Sequence, residues 1–447
     1  MNALRAGAAK AVITPPIGTP LAGYFEPRPS TGALDDLHAH ALVLGNGQQA
    51  VALVSCDLLS IKRSTVLTIR RQITTRTGIP PGNILISCTH AHTGPYTSPT
   101  FGGVMNEDYI EGLTDLVAGA VEKAWSARQS AQISVGTGAV EGIAFNRRFH
   151  MRDGQVRTNP GIGNPEIAGP VGPVDTMLGV ISVTDPDGKP AGAWINYAVH
   201  ADVVSGDKIS ADYPGALGAA MRREFGDEFV SVYANGACGN TNHIDTSGPP
   251  KQGGAGHARR MGEAIAGEAA RVIRAGAPGA LRGIQTASTE LRIPLREISP
   301  EQIAGAEEIL RQAGADTGGA LTSEDLGAPS ADVVYARETL RVARQRADEP
   351  EAIVEVQVIV LGDTAIVAFP AEVFAEIGLE IKAKSPFAHT FVVCYANGIV
   401  GYIPTQAAFS EGGYEVRTSR SSKLVPEAAG MITSAALGLL ERMRRPS

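Results

Sequence analysis

The chain has 447 residues, 43% of them hydrophobic, and a mean hydropathy of zero, which is enough to bury a large core in one domain or two. Its 39 basic and 46 acidic residues give a formal charge of −7 with no long run of one sign, and this excludes the basic stripe of a nucleic-acid-binding surface. No apolar stretch is long enough to span a bilayer and the first seven residues lack the apolar segment of a secretory signal, so a soluble, cytoplasmic protein is expected.

Residues 11–18, Ala-Val-Ile-Thr-Pro-Pro-Ile-Gly, read as a short strand broken by two prolines, with a turn at 21–24. Apolar runs at 41–44 and 51–56 flank Gly45-Asn46-Gly47 and read as a β-hairpin. Asp57 closes the second run. It suits either the N-cap of a helix over 60–75 or a supporting place beside a site, and the cap is the simpler reading. The stretch 83–95 starts as an apolar run that reads as a buried strand, and Thr93-Gly94-Pro95 cannot continue it.

Ile110, Leu113, Leu116, Val117, Val121 and Trp125 recur at helical spacing over 107–127. Strands follow at 132–135, 176–183 and 193–199, with a Gly- and Pro-rich loop at 159–173. A helix over 210–225, a strand over 229–233, an irregular loop at 245–256 and a helix over 258–274 come next. Residues 300–313 and 331–349 read as polar helices separated by a Gly/Ala/Ser/Asp-rich stretch, a peripheral insertion at about 298–350 in an otherwise single domain spanning 1–447. Strands at 352–361 and 364–369, a helix over 373–384 and a helical stretch over 426–443 complete the chain. Alternating strands and helices predict an α/β fold with mixed β-sheets covered by helices on both faces. No tandem repeat is visible. The widely spaced Cys56, Cys88, Cys238 and Cys394 form no C-x-x-C motif and read as reduced core thiols.

Three strand ends carry the chemistry. His90-Ala91-His92 lies at the C-terminal end of the strand in 83–95, and alternation along a strand would turn both imidazoles to one face. His200 closes the run 193–199 in the same way. Glu372 follows the apolar run 365–371; in the first turn of a helix it would complement the dipole, yet with two histidines it completes a His, His, Glu set that leaves a position open on zinc. Tyr402 and Tyr414 sit in Gly-rich loops. Each is either a loop-anchoring aromatic or, beside a divalent cation, a ligand or hydrogen-bond donor to an oxyanion. Cys238 in the small-residue loop 234–243 suggests a thiol nucleophile paired with His243, but no cysteine-hydrolase signature surrounds it.

Taken in order, Ile13-Thr14-Pro15-Pro16, Gly23-Tyr24, Thr89-His90-Ala91-His92-Thr93-Gly94-Pro95, Asn146-Arg147, Asn196-Tyr197-Ala198-Val199-His200, the glycine loop at Gly239, Pro370-Ala371-Glu372, Gly401-Tyr402 and Tyr414-Glu415 resemble the catalytic domain of the neutral, alkaline-type (non-lysosomal) ceramidases. The resemblance implies one zinc ion held by His90, His200, Glu372 and Tyr402, with His92 handling protons and Arg147 and Tyr414 near the scissile carbonyl. It implies hydrolysis, with zinc generating hydroxide at neutral pH for attack on an amide carbon. The family's C-terminal immunoglobulin-like domain is expected to be absent, and its Asp-x-Ser-Pro reads Asn240-Thr241-Asn242-His243.

The expected activity is therefore zinc-dependent cleavage of a linear N-acyl amide in a soluble small molecule rather than membrane ceramide. An esterase or lactonase using the same residues and a non-catalytic metal-containing binding module are the alternatives.

Overall fold

The computed structural model describes residues 4–25, 27–279, 281, 283–314 and 331–444. One arrangement recurs three times along the chain: three antiparallel strands, a helix, a fourth strand parallel to the third, and a second helix. The first copy is β1 (Arg5–Val12), β2 (His38–Gly45), β3 (Ala50–Cys56), α1 (Arg63–Thr77), β4 (Ile84–Cys88) and α2 (Glu107–Ser126). The second is β5 (Gln132–Ala139), β6 (Met177–Thr184), β7 (Pro190–Tyr197), α3 (Asp212–Phe225), β8 (Val230–Asn235) and α4 (Gly254–Ala275). The third comprises β9 (Ile284–Pro294), β10 (Glu351–Leu361), β11 (Thr364–Ala368), α7 (Ala375–Lys384), β12 (His389–Val393) and the C-terminal helix Ala428–Arg444. Helices α5 (Pro300–Gln312) and α6 (Ala331–Asp348) are inserted between β9 and β10. In each sheet the strands lie in the order fourth, third, second, first. The backbone thus repeats where no sequence repeat is visible.

The second, third and fourth strands of each sheet are buried on both faces over most of their length, as expected where both are covered, whereas the first strand is partly exposed. Inner-face residues of all three sheets meet in a common core that includes Leu42, Leu53, Leu85, Ile181, Trp194, Val232, Ile359, Ile366 and Phe391. Outer faces are covered by helices. Ile69, Ile73, Leu113 and Val117 pack in the cluster that holds Ala41, Val43, Ala52 and Val54 of the first sheet, and Leu217 and Ile265 in the one that holds Val180 and Ile195 of the second. A buried aliphatic or aromatic side chain of this kind stabilises the fold by about 1.5–3 kcal/mol. Buried Arg70 donates to the Glu355 carboxylate at 2.9 and 3.0 Å and to the Ile84 carbonyl, tying α1 and β4 to β10.

The mixed α/β architecture agrees with the expectation, as do the hairpin and the free, buried cysteines. Several bounds shift. The first strand lies at Arg5–Val12 and stops before the prolines, which lack the N–H a ladder needs. Helix α1 starts at Arg63 after Lys62 with no side-chain cap, so Asp57 is not its N-cap. Strands β9 and β12 were not anticipated, and the loop at 159–173 contains the short strand Ile167–Pro170. Of the inserted stretch between the two polar helices, residues 315–330 lie outside the described residues.

Open α/β sheets present ligands at the C-terminal ends of parallel strands, where the departing loops diverge. All three sheets have such a parallel pair, and the candidate residues follow them: His90 and His92 after β4, His200 after β7, the glycine loop after β8, Glu372 after β11 and Tyr402 after β12.

Candidate functional site

His90, His200 and Glu372 meet. Glu372 Oε2 lies 3.4 Å from Nε2 of His90 and 3.4 Å from Nε2 of His200, and all three residues are buried. The tautomers of the histidines are fixed from behind. His90 Nδ1 donates to the Leu59 carbonyl at 2.9 Å and His200 Nδ1 to the Cys238 carbonyl at 2.9 Å, which leaves each Nε2 with a lone pair pointing inward. Burial lowers both pKa values: His90 well below the usual imidazole range, and His200, with Arg147 adding to the effect, to about 3. Two lone pairs therefore face a carboxylate oxygen that has no hydrogen-bond donor. Apart from Arg147 Nη1, 3.4 Å from His200 Nε2, this buried group holds only acceptors, which is unfavourable unless a cation joins them. Edges of 3.4 Å are also what a tetrahedron with metal–ligand bonds near ~2.0–2.1 Å has, so the residues fit a zinc-class ion.

The local backbone explains the convergence, and differs from the sequence expectation in two places. β4 ends at Cys88, and His90 adopts a left-handed φ of 67°. The histidine pair comes together, with ring centroids 4.8 Å apart, through this turn and not through strand alternation. Glu372 precedes α7 and lies in the two-residue strand Glu372–Val373, paired in parallel with Tyr402–Ile403 so that Glu372 is the register partner of Tyr402. It is not a first-turn helix carboxylate. Gly239 allows this pairing to pack closely, because a Cβ there would come 2.5 Å from the Glu372 carbonyl oxygen.

Arg147 is buried beside the same centre. Its Nε donates to Glu415 at 2.7 Å, and its Nη2 to the Gly239 carbonyl at 2.7 Å and to the Tyr402 hydroxyl at 3.0 Å, while Nη1 lies 3.4 Å from His200 Nε2. Burial disfavours its charge, but Tyr402 and Glu415 outweigh this and hold its pKa well above the usual value. Tyr402 is buried and its pKa is raised by burial against the opposing pull of Arg147, so its phenol stays neutral unless a cation binds. Tyr414 is half-buried and stands edge-on to Tyr402 at 5.8 Å between ring centroids.

His92 borders the group. Its Nε2 is buried with no partner, and burial lowers its pKa to about 4 against the opposing charge of Asp202. Its nitrogen ligand atom lies within 4.8 Å of those of His90 and His200, so a three-histidine set is a geometric alternative to the set with Glu372. A Cβ at Gly23 would come 2.7 Å from the His92 ring, and there the left-handed φ of 101° also calls for glycine.

Three contributors were not singled out from the sequence. Tyr395 stacks on His90 at 3.9 Å between ring centroids, Asp202 pairs with His243 at 3.3 Å, and the Leu59 carbonyl orients His90. Asp202 is two residues after His200, which is the one signal that pointed to it. The thiol reading of Cys238 fails: burial pushes its pKa well above the usual value, its sulfur contacts the Tyr395 hydroxyl at 3.3 Å, and His243 belongs to Asp202.

A cavity of about 380 Å³ touches His90 and Glu372 and is also lined by Lys62, Arg63, Arg420 and Lys423. Helix α6 is closer to this region than its polar composition suggests. Glu338 takes hydrogen bonds from Arg420 at 2.8 and 2.9 Å, and the Tyr335 ring packs on Phe25 and Phe101. A larger cavity of about 770 Å³, lined by residues such as Gln48, Trp125 and Arg128, contains no histidine, cysteine or carboxylate.

Taken together these features define an α/β protein with a buried His, His, Glu centre suited to a metal ion, set in a crevice at the ends of parallel strands. Comparison with solved structures adds that its fold is that of the neutral ceramidases. The crystal structure of neutral ceramidase from Pseudomonas aeruginosa superposes with a TM-score of 0.72 at 18% identity, covering 100% of this chain and 76% of that one. A ceramidase complexed with C2 gives 0.73 at 18% identity, covering 99% and 76%. By sequence, neutral ceramidase from Pseudomonas aeruginosa is 24% identical over 172 residues, which is 35% of this chain and only 24% of that relative. No family model matches the chain.

Proposed function

We propose that the protein is a zinc-dependent hydrolase that cleaves a linear N-acyl amide in a small soluble molecule. The observation that carries the reading is the donor-free Glu372 oxygen facing the inward lone pairs of His90 and His200 at 3.4 Å. Zinc held by His90, His200 and Glu372, with Tyr402 as a fourth ligand, would supply Lewis acidity toward an acyl oxygen and toward water.

The chain's own groups divide the remaining work. His92, unprotonated at neutral pH, accepts a proton as water adds to the acyl carbon and returns it to the departing nitrogen. That return matters most for an amide, whose amine leaves poorly without it, and His92 therefore favours the amide reading over the ester or lactone one. Arg147 is held by Glu415 and the Gly239 carbonyl, and its fixed positive charge stabilises negative charge developing on the acyl oxygen without reorganisation. Tyr414 supplies a neutral phenol beside it. The adjoining cavity is lined by polar and charged side chains, with Lys62, Arg63 and Arg420 paired to Glu107, Glu290 and Glu338, a surface that suits a polar N-acyl compound better than a long-chain lipid. The fold shared with ceramidases supports the hydrolytic class.

The test is turnover of paired amide and ester substrates of equal shape, in polar and long-chain series, on metal-stripped and zinc-restored protein. The expected result is zinc-restored hydrolysis of polar N-acyl amides. Turnover indifferent to chelator, or binding of every substrate with cleavage of none, would refute the proposal.

A further inference from the structure

We propose that His38, His40 and Asp57 form a second divalent-metal site, distinct from the His90, His200, Glu372 centre and selective for a borderline cation of the zinc class. The backbone builds it. Side chains alternate along β2, so His38 and His40 share the inner face with Leu42 and Leu44 of the common core. The β2–β3 register pairs Ala39 with Cys56, which brings Asp57, the first residue past β3, alongside His38. The His38 N–H donates to Asp57 Oδ2 at 2.9 Å, and the same oxygen lies 3.5 Å from His40 Nε2. One ligand atom from each of the three residues falls within 4.8 Å of the other two.

The hydrogen bonding around the cluster is that of a ligand set and not of a finished polar network. His38 Nδ1 lies 3.1 Å from the Asp36 carbonyl and must donate to it, so its Nε2 carries the lone pair. This is the outer support that metal-binding imidazoles usually have. His40 Nδ1 is buried with no partner. Asp57 is 2% exposed, and the 3.5 Å gap to His40 is too long for the close charge-assisted hydrogen bond a simple ion pair would form. Two imidazoles and one carboxylate are the donor set of open zinc sites. His38 is only half-buried, which leaves an entry path. Lys10, the register partner of His40 on β1, opposes a cation here, so this site is expected to bind more weakly than the first.

The position gives such a site a consequence. Asp57 directly precedes Leu58 and Leu59, whose carbonyls accept from the His90 backbone N–H at 3.0 Å and from His90 Nδ1 at 2.9 Å. A cation on Asp57 pins the segment that orients His90.

The experiment is zinc titration of the metal-stripped full chain, with metal content per chain and the visible spectrum of the cobalt-substituted protein as readouts. Wild type should bind two equivalents. His38→Gln and His40→Gln should each bind one and keep the first site's spectrum, whereas Glu372→Ala should bind one and keep the second site's spectrum. Asp57→Asn replaces any variant whose metal-free circular dichroism departs from wild type. One equivalent in wild type that disappears in Glu372→Ala but persists in His40→Gln overturns the second site. So does a second equivalent indifferent to both histidine substitutions. One equivalent lost in His40→Gln and kept in Glu372→Ala would uphold this site while removing the proposed catalytic one.

Discussion

The tripeptide His-Ala-His occurs twice, at 38–40 and at 90–92, and the two copies behave differently. At 38–40 it lies inside regular strand β2, so alternation alone turns both imidazoles to one face beside Asp57. At 90–92 the strand has already ended, and a left-handed residue at His90 directs the first ring toward His200 and Glu372 while the second stands at the border of the group. The first copy is supported by neighbours within one sheet. The second draws its partners from all three copies of the recurring unit and is more deeply buried. The lesson is that the same motif yields a local, partly solvated donor set in a strand, and a dry, long-range one in a turn where burial strengthens every electrostatic interaction.

Substitutions can break or sharpen this contrast. The largest effect is expected for Glu372→Ala, which removes the one carboxylate that joins the two inward lone pairs: metal at the deep centre and turnover should both vanish, as metal analysis and an amide assay would register, while metal at 38–40 remains. His92→Gln should lower kcat by about 10²–10⁴-fold with metal content unchanged. Loss of metal in that variant would make His92 a ligand and replace the His, His, Glu set with three histidines.

Arg147→Met should lower kcat by about 10²–10³-fold, the usual cost of one preorganised oxyanion donor, with a smaller change in KM. The two tyrosines separate next. Tyr402→Phe is expected to weaken metal binding by roughly 10-fold or more, whereas Tyr414→Phe should leave metal affinity intact and reduce kcat alone; equilibrium dialysis and steady-state kinetics on both variants check this. The smallest change belongs to Cys238→Ala, which removes a contact with the Tyr395 hydroxyl. It should cost about 1 kcal/mol in denaturant-measured stability and leave turnover near wild type, where a nucleophilic thiol would abolish it.

Much of this was legible in the chain because apolar runs end abruptly where the chemistry begins. The hairpin of β2 and β3, the helix at 107–126 and the strand ends before His200 and Glu372 follow from local pattern. Less legible was anything set by pairing across the fold. The parallel bridge that makes Glu372 the partner of Tyr402 joins residues thirty apart in sequence, and a two-residue strand leaves no periodic trace. Asp57 read as a helix cap because its neighbours in sequence suggest one, whereas its partners His38 and His40 are brought in by sheet register. Strand β9 does alternate from Ala287 to Pro294, but most of its inward positions are small, polar or only half-buried, so the run is not apolar enough to stand out as a strand. The threefold recurrence was hidden because a fold repeats through hydrogen-bonding topology and burial, which many different side chains satisfy.

The central claim is that His90, His200 and Glu372 hold one metal ion. Anomalous diffraction collected on either side of the zinc absorption edge, from crystals of zinc-loaded protein, tests it most directly. The account predicts a peak about 2.0–2.2 Å from His90 Nε2, His200 Nε2 and a Glu372 carboxylate oxygen. A peak held by His92 with Glu372 turned away, or no peak between these residues at all, would contradict it.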